Sequence, residues 1–367
     1  MKVLHICSYY LGTRLYEKLI EKLEENNTDN TVYVPATKYD VPQFELKSNV
    51  LVSRCLNKYD RVAFFYKHGK IFKDLNQAVK VGDYDVLHAH SLFSNGYIAY
   101  KLKQQYKIPY VVAVRNTDVN VFFKRMVHLR GLGVKILRNA DKIIFLSSSY
   151  VNFVLDTYIP AEYRDEIKKK ISVIPNGIDD FWLKDKGTPK ELPDSKKIRL
   201  VFAGSIDKNK NITTTAKACE ELKKRGYEVM LAVAGGIKDD EIYQQLKSFD
   251  FINYVGKMNQ EQLRALYQET DIFIMNSIHE TFGLVYAEAM SQGLPVVYTK
   301  GQGFDGQFAE GLAGYAVDCF DVSAIADTVE KIVGNYSSIS KNCIELSDKF
   351  DWGNIAKAYL GIYQAIT

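Results

Sequence analysis

Two glutamates, Glu280 and Glu288, stand eight positions apart within residues 271–299, DIFIMNSIHETFGLVYAEAMSQGLPVVYT. An apolar strand ends near Asn276, and after a short loop a helix begins near Gly283, where free N–H groups suit an anion such as a diphosphate. A carboxylate about one and a half turns into that helix can accept both hydroxyls of a ribose diol in charge-assisted hydrogen bonds. The loop carboxylate can hold hydroxyls of a second sugar. The spacing therefore suits a nucleoside-diphosphate sugar lying along one helix.

A solvated pair of glutamates on a surface helix is the alternative interpretation, because two acids at this separation are common. The surrounding residues favour the ligand site. Ser277 and Phe282 lie in the loop before the helix, and Gly293 followed by Pro295 is an ordinary helix stop.

Short apolar runs rich in Val, Ile, Phe and Tyr alternate with helical patterns along the whole chain. Such runs are typical of parallel strands buried on both faces, so we predict an α/β fold. The predicted strands cover residues 3–7, 31–34, 61–65, 86–90, 110–114, 142–146, 172–174, 198–203, 228–234, 251–255, 271–275, 295–298 and 314–317.

The pattern restarts near residue 198, after a polar linker at 184–197, and a length of 367 residues also suggests two domains. We predict two Rossmann-like doubly wound domains facing a cleft, residues 1–180 and 181–351. In such sheets ligands bind beyond the carboxyl ends of the strands. The final helical stretch, 352–367, could pack on either domain, and we expect it to pack back on the first.

Composition excludes several classes of protein. Hydrophobic residues make up 47% and charged residues 25%, which is the ordinary globular mixture and not that of a disordered or fibrous chain. No apolar run approaches the ~18 residues that a membrane span needs, and residues 1–12 do not resemble a signal peptide. The five cysteines are widely spread and show no metal-ligand spacing, which fits a reducing, cytoplasmic environment.

The net charge of +4 is unevenly placed, because residues 51–150 hold 17 Lys and Arg against six Asp and Glu. Within this block, residues 121–138 (VFFKRMVHLRGLGVKILR) interleave apolar and basic side chains. An amphipathic basic helix can lie on an anionic membrane. The alternative is a helix whose apolar face covers the sheet while its cations face solvent. An anionic membrane surface is thus an expected partner of 51–150, with a peripheral position on the inner face of the cell membrane.

The segment from Glu280 to Glu288 resembles the E-x7-E motif of glycosyltransferase family 4, retaining enzymes with the two-domain GT-B fold. Residues 173–179 (VIPNGID) resemble the family's interdomain segment, and 200–212 (LVFAGSIDKNKNI) resemble the first strand and phosphate loop of its donor-binding domain. The chain is similar to the family over most of its length. Further matches are 253–256 (NYVG) to the base-binding turn, and 86–90 (VLHAH), 109–118 and 139–147 (NADKIIFLS) to the acceptor domain.

The resemblance implies a role for individual residues. Glu288 corresponds to the glutamate on the ribose, and Glu280 to the one near the donor sugar. Lys210 corresponds to the lysine that neutralises the leaving diphosphate, where a fixed cation stabilises charge that develops in the transition state. Alternatively, Lys210 has no special role and is one of several lysines in a polar loop, which also contains Lys208. Other residues expected at the donor are Gly12, Gly204, Ser205, Val255, Gly256, Phe282, Gly283 and Leu284.

Two positions depart from the family pattern. The family usually has an arginine after the glycine that ends the first strand of the donor domain, where this chain has Ser205 after Gly204. The acceptor domain usually presents a histidine after its strand, where this chain has Arg115. Arg115 could hold a phosphate or an acidic acceptor and replace the missing cation as a catalytic residue. Alternatively, it forms a surface ion pair with Asp118.

We expect no metal site and no cofactor besides the donor. His88 and His90 alternate along a strand, and such a pair binds metal only with further ligands nearby, of which the sequence shows none. We interpret them as packed or hydrogen-bonded histidines, with His90 nearer the acceptor side. Asp83 and Asp85 look like the DxD of metal-dependent transferases but precede the strand, on the wrong edge. The sequence therefore predicts a metal-independent mechanism.

These observations predict a retaining glycosyltransferase that uses a nucleotide sugar, which family frequency suggests is UDP-linked. The expected acceptor is a glycan or a lipid-linked glycan, as in bacterial surface polysaccharide assembly. The competing function is a non-catalytic sugar-nucleotide-binding subunit of a glycosyltransferase complex, motivated by Ser205 and Arg115. A Rossmann dehydrogenase is excluded because no G-x-G-x-x-G follows a first strand. Nucleic-acid binding is not expected at a net charge of +4 without a matching module.

Overall fold

The computed structural model describes residues Met1–Thr367, except for the side chain of Arg61. The chain forms two compact units. The first comprises Met1–Leu146, Val151–Asn176 and Trp352–Thr367, and the second comprises Ser147–Tyr150 and Gly177–Asp351. Each unit is built on one parallel sheet with helices around it, as expected for α/β domains.

The sheet of the first unit has seven strands in the order β3-β2-β1-β4-β5-β6-β7. The strand order reverses between β1 and β4, so the loops that leave these strands diverge at the carboxyl edge. The strands are β1 (Lys2–Ile6), β2 (Asp29–Thr37), β3 (Val50–Leu56), β4 (Val86–Ala89), β5 (Tyr110–Ala113), β6 (Lys142–Phe145) and β7 (Ile171–Val173).

The six helices that precede β7, together with the last helix of the chain, complete this part of the fold. They are α1 (Leu15–Glu24), α2 (Phe64–Ala78), α3 (Gly96–Tyr106), α4 (Arg130–Asn139), α5 (Ser148–Tyr158), α6 (Ala161–Lys168) and α14 (Trp352–Gln364). Helix α14 belongs to the first unit, where Trp352, Tyr359 and Tyr363 join a buried cluster with Val3 and Val111. Burial of these large rings supplies the driving force for α14 to dock on the sheet.

One predicted strand is wrong and one strand was not predicted. Residues 61–65 are not a strand but lie in a 3-10 turn, Lys58–Val62, and the beginning of α2. The strand of this region is β3, the edge strand, in which only Leu56 is buried. Because β3 (VLVSRCL) is mostly half-buried or exposed, its sequence lacks the continuous apolar character of a central strand.

Residues 121–138 do not form one helix. They contain the end of a π-helical turn (Asp118–Phe123), a 3-10 turn (Val127–Leu129) and most of α4. Phe123, Leu129 and Ile136 are buried in the first unit, so most apolar positions of this segment serve its core. The cations lie outside, as in the second of the two interpretations given above.

The sheet of the second unit has six parallel strands in the order β10-β9-β8-β11-β12-β13, which reverses between β8 and β11. Its strands are β8 (Lys197–Ala203), β9 (Glu228–Ala234), β10 (Ile252–Gly256), β11 (Ile272–Ile274), β12 (Val296–Thr299) and β13 (Gly314–Val317). Its helices are α7 (Asp180–Lys184), α8 (Ile212–Lys224), α9 (Asp240–Leu246), α10 (Gln260–Glu269), α11 (Leu284–Ser291), α12 (Val322–Gly334) and α13 (Tyr336–Leu346).

Two further properties concern the whole chain. All five cysteines are free thiols, and Cys7, Cys219 and Cys343 are buried. Across the described residues, every helix is too short or too polar to cross a lipid bilayer.

Candidate active site

Two loops leave the second sheet at its switch point, one after β8 and one after β11. In doubly wound sheets this is the place where ligands bind, because the two loops diverge and leave a crevice at the carboxyl edge. Three backbone and side-chain contacts tie the loops together. The amide of Asn209 donates to the His279 carbonyl (3.0 Å) and its Oδ1 accepts from the His279 N–H (3.1 Å), while the Ile278 N–H donates to the Asn209 carbonyl (2.8 Å).

Lys210 and Glu280 meet across these loops. Lys210 Nζ donates to Glu280 Oε2 at 2.6 Å, and both side chains are mostly buried. The Glu280 N–H donates to Gln302 Oε1 (2.9 Å) and the Gly303 N–H donates to the Glu280 carbonyl (3.0 Å), so the segment after β12 fixes the backbone of Glu280. The arrangement places one cation and one carboxylate, held in position by three loops, at the start of α11.

The turn into α11 depends on Gly283, which has φ +75°. A Cβ at this position would lie 2.4 Å from the Tyr286 ring, so both the conformation and the space require glycine. Phe282 is buried against Phe304 and Phe350, with ring centroids 6.2 and 5.7 Å apart. This packing holds the first N–H groups of α11, near Leu284, at the same edge of the sheet as Lys210 and Glu280.

Glu288 lies further along α11 and is half-buried. Burial, together with the nearby Asp179 carboxylate, raises the pKa of Glu288 to about 7. Within the described chain, its carboxylate receives no hydrogen bond from protein. Close by, Tyr267 OH and Trp182 Nε1 are buried and have no partner among the described residues. The Glu288 carboxylate can therefore accept hydrogen bonds from the hydroxyl groups of a ligand.

The loop after β8 carries the other predicted donor residues. The Gly204 N–H donates to the Ala234 carbonyl (2.9 Å), which keeps the end of β8 against β9. Ser205 Oγ donates to Asp207 Oδ2 (2.6 Å), and Asp207 Oδ1 accepts the Lys210 N–H (2.9 Å). Although burial opposes it, these hydrogen bonds hold the pKa of Asp207 below its ordinary value. Ser205 thus shapes the loop that presents Lys210.

The predicted base-binding turn lies at the end of β10. The Gly256 carbonyl accepts the Gly235 N–H at 2.7 Å, and Gly256 has φ +78°. Val255 precedes it and is half-buried. The second unit therefore brings Gly204, Ser205, Lys210 and Glu280 to one sheet edge with this turn and with the beginning of α11.

Arg115 and Gly12 belong to the first unit. Arg115 is buried, with its Nε 3.4 Å from the His90 carbonyl and its guanidinium hydrogen-bonded to Tyr359 of α14. The Asp118 carboxylate does not form a surface ion pair with it, as one interpretation expected, but accepts the backbone N–H of Arg115 (2.9 Å) inside the unit. Gly12 is exposed, and a Cβ there would meet no protein atom within 4 Å.

The expectation that His88 and His90 have no third imidazole nearby is wrong. The register of β1 and β4 places His5 beside His88, and ring nitrogens of the three fully buried histidines lie within 4.8 Å of one another. His5 hydrogen-bonds to His90 (3.0 Å) and Asn30 (3.0 Å), and His88 to Tyr363 (2.6 Å). Three imidazoles can bind zinc, but both ring nitrogens of His5 already form hydrogen bonds to protein groups. We interpret the cluster as a hydrogen-bonded core.

Acidification from pH 7 to pH 5 is expected to destabilise the first unit. Burial lowers the pKa of His5 and of His68 to about 4, and it also lowers the pKa values of His88 and His90. Unfolded histidines titrate near 6.5, so the unfolded chain binds more protons in this range and stability is lost as the pH falls. For each of His5 and His68 the loss at pH 5 is about 2 kcal/mol, and Asp118, whose pKa burial raises to about 6, offsets about 1 kcal/mol.

Urea unfolding at both pH values tests this expectation. A His68→Leu variant should lose about 2 kcal/mol less than the wild type on acidification, because one buried titrating group is gone. His128→Leu, at an exposed position, is the matched control and should behave as the wild type. Equal losses for His68→Leu and the wild type would contradict the assignment.

Several residues of the site were not predicted from the sequence. Asn209, which joins the two loops, stands between Lys208 and Lys210 and looked like an ordinary loop residue. Gln302 and Gly303 support Glu280 from the loop after β12, the strand next to β11. Their position after a strand at the same sheet edge was the available signal.

Comparison with known proteins agrees with this architecture. Residues 12–180 match the family described as Glycosyltransferase Family 4, and residues 184–349 match Glycosyl transferases group 1. An uncharacterized glycosyltransferase of Methanocaldococcus jannaschii is 23% identical, and the aligned region covers 94% of this chain and 92% of the sequence of that relative. The structure of sucrose-phosphate synthase from Thermosynechococcus elongatus is similar (19% identical, TM-score 0.75), and the superposition covers 100% of this chain and 98% of the synthase chain. The Anabaena protein HepE in complex with UDP (17% identical, TM-score 0.72) covers 100% of both.

The two parallel sheets and their helices define an α/β protein of the GT-B class, the fold of these solved glycosyltransferase structures. The chain belongs to glycosyltransferase family 4.

Proposed function

We propose that this protein is a retaining glycosyltransferase that moves a hexose from a UDP-sugar to a hydroxyl of a glycan or lipid-linked acceptor, in the assembly of a surface polysaccharide. The observation that carries the proposal is the Lys210–Glu280 pair at the start of α11, with the unpartnered carboxylate of Glu288 further along the same helix. HepE, a structural neighbour, was solved in complex with UDP, which supports a uridine nucleotide as the donor.

In this proposal the donor lies along α11. The Glu288 carboxylate accepts the two ribose hydroxyls, and Glu280 accepts hydroxyls of the transferred sugar. The diphosphate lies near Gly204 and Ser205 and at the N–H groups of Phe282, Gly283 and Leu284, where the helix dipole favours an anion. The base rests against the turn at Val255 and Gly256.

The chemistry needs a cation at the leaving phosphate. Lys210 pairs with Glu280 in the structure. When the diphosphate binds, the ammonium group can contact both the carboxylate and the β-phosphate, because its three protons point in different directions. As the glycosidic bond breaks, negative charge grows on the phosphate, and Lys210 and the helix N-terminus stabilise it. We propose that these protein groups do so without a metal ion.

Arg115 was predicted to be a catalytic residue, and its side chain is buried in the first unit. Its guanidinium is buried against His90 and Tyr359, so its contacts in the first unit are with protein. We propose that Arg115 is a positioning residue that joins the loop after β5 to α14. Gly12 remains a candidate for substrate approach, since the space above it is open. We also place the protein on the cytoplasmic side of the membrane, where nucleotide sugars are available.

A panel of nucleotide sugars tests the proposal. The wild type is expected to bind one UDP-sugar, seen as a rise in melting temperature, and to hydrolyse it slowly to UDP and free sugar when water is the only acceptor. Glu280→Gln should bind the donor but lose at least about 100-fold in turnover, since a charge-assisted contact near the reacting sugar is lost. Glu269→Gln, at an exposed position on α10, is the control. Binding without turnover of any donor would instead favour a non-catalytic subunit.

A further inference from the structure

The first unit carries a cluster of exposed apolar side chains at residues 59–66. Tyr59, Val62, Phe65 and Tyr66 have relative exposures of 80%, 89%, 59% and 61%. Val62 and Phe65 fall within residues 61–65, which the sequence predicted to be a strand, but that segment lies in a 3-10 turn and the beginning of α2. Isolated exposed apolar residues are normal on proteins, whereas four within eight residues form a patch that indicates a binding surface.

The patch is continuous with a second exposed segment. The half-buried Phe64 contacts Phe122, with ring centroids 6.1 Å apart, and Phe122 stacks on the buried Phe93 at 4.7 Å. Phe122 leads into residues 124–128, in which the apolar Val127 is 58% exposed. Two neighbouring stretches of chain therefore present apolar groups to solvent above a rigid aromatic support.

Basic residues surround these apolar groups. Residues 58–73 contain five Lys and Arg and one Asp, and residues 121–130 contain three Lys and Arg and no acid. Lys58, Lys73, Lys124 and Arg125 are exposed. Lys70 Nζ lies 4.8 Å from the centre of the Tyr66 ring and 2.9 Å from Asp60, so the single acid of the first stretch is already paired.

Aromatic side chains among exposed lysines are the composition of a membrane-interface anchor. The rings enter the boundary between headgroups and acyl chains, and the cations contact anionic headgroups. Aromatic side chains also occur in protein interfaces, but a protein partner would have to place acidic groups opposite this lysine-rich rim, whereas an anionic bilayer presents negative charge over its whole surface. The charge and the exposed rings together favour a lipid surface over a second protein.

We infer that the surface formed by residues 59–66 and 124–128 docks the first unit on an anionic lipid bilayer. The surface adjoins a cavity of about 600 Å³ at the carboxyl edge of the sheet, whose lining includes Ser8, Gly12, Asn57, Asp60 and Lys67. A docked protein would hold this polar cavity close to the headgroups. Under the proposed function, on which this last step rests, the cavity receives the glycan of a lipid-linked acceptor while the lipid stays in the bilayer.

Vesicle binding tests the inference with the full chain. The wild type should co-sediment with phosphatidylcholine vesicles that contain phosphatidylglycerol, and binding to pure phosphatidylcholine should be much weaker. Raising the salt concentration should weaken binding, because surface charges are screened. The double variant Phe65→Ser/Tyr66→Ser should lose about tenfold or more in vesicle partitioning, since two interfacial anchors are removed.

The control is Phe320→Ser, which removes a ring of 61% exposure from the second unit and should bind vesicles as the wild type does. Failure of the wild type to bind anionic vesicles, or equal binding by the double variant, would overturn the inference. So would sedimentation showing that the wild type is a dimer that the double variant dissociates, since the patch would then be covered by a second copy. Nucleotide binding, measured on the same samples, separates this outcome from a failure of the proposed donor site.

Discussion

Replacement of Lys210 by alanine is expected to lower kcat by about 10²–10³-fold, the effect typical of removing one group that stabilises developing charge. Lys210 Nζ lies 2.6 Å from Glu280 Oε2 at the N-terminal end of α11, and hydrogen bonds of Asp207 and Asn209 fix the loop that carries it. A cation held in this way needs little reorganisation when the leaving phosphate gains charge. Donor affinity should change much less than kcat, because the helix N-terminus and Glu288 remain.

Lys208→Ala is the matched control for this prediction. Lys208 is two residues away in the same loop and exposed, so its removal changes the net charge of the loop equally without touching Glu280. Steady-state rates with a saturating UDP-sugar, with melting temperatures of both variants, separate a catalytic loss from a folding defect. If kcat of Lys210→Ala were within about threefold of the wild-type value, Lys210 would not be the cation that stabilises the leaving phosphate.

The strands of both sheets were predictable wherever they are buried on both faces. β11 and β12 read as continuous apolar runs because every residue in them is buried. The rule failed at the edge of the first sheet. β3 contains Ser53 and Arg54 and is mostly exposed or half-buried, whereas Val62 and Phe65, which follow it in a 3-10 turn and in α2, are apolar but exposed. An apolar run predicts a strand only if its side chains are buried. A binding surface also contains apolar residues, but they are exposed, so the same pattern there predicts a strand that does not form.

The donor-side residues were predictable for a different reason. Glu280, Gly283 and Glu288 occur within one strand–loop–helix unit, so their relation follows from local geometry. The contacts that hold them come from further away. Gln302 supports Glu280 from across 22 residues, and Asn209 joins His279 across 70. Such partners depend on strand order, which the sequence does not reveal.

The histidine cluster shows the same limit. His88 and His90 were visible as a pair, but His5 joins them only because β1 lies beside β4 with His5 opposite His88. Tyr363 completes the hydrogen bonding from α14, 275 residues away from His88. Arg115 is a related case, since its buried contact with Tyr359 depends on the docking of the same helix.

Replacement of Glu288 by alanine is expected to weaken donor binding by about 100-fold, or roughly 3 kcal/mol. Two hydrogen bonds from the ribose to a carboxylate would be lost, each worth about 1.5–3 kcal/mol. The residual loss in kcat at saturating donor should be small, because the ribose is remote from the reacting carbon. Isothermal titration with UDP-glucose measures the change, and Glu269→Ala, at an exposed position on α10, is the control for removing one carboxylate.

The pH dependence of donor binding provides a sharper test of the same role. Burial and the Asp179 carboxylate raise the pKa of Glu288 to about 7, so about half of the Glu288 carboxyl groups are protonated near pH 7 before the donor binds. The ribose hydroxyls need the ionised form as an acceptor, so binding releases a proton below pH 7, and affinity should fall about tenfold from pH 8 to pH 6. The diphosphate of a nucleotide sugar keeps its charge between pH 6 and pH 8, so it does not contribute to the pH dependence of donor affinity. Glu288→Gln should bind the donor weakly, with an affinity that is almost independent of pH. If the affinity of the variant changed with pH as much as that of the wild type, another group would be the one that titrates and Glu288 would not bind the ribose.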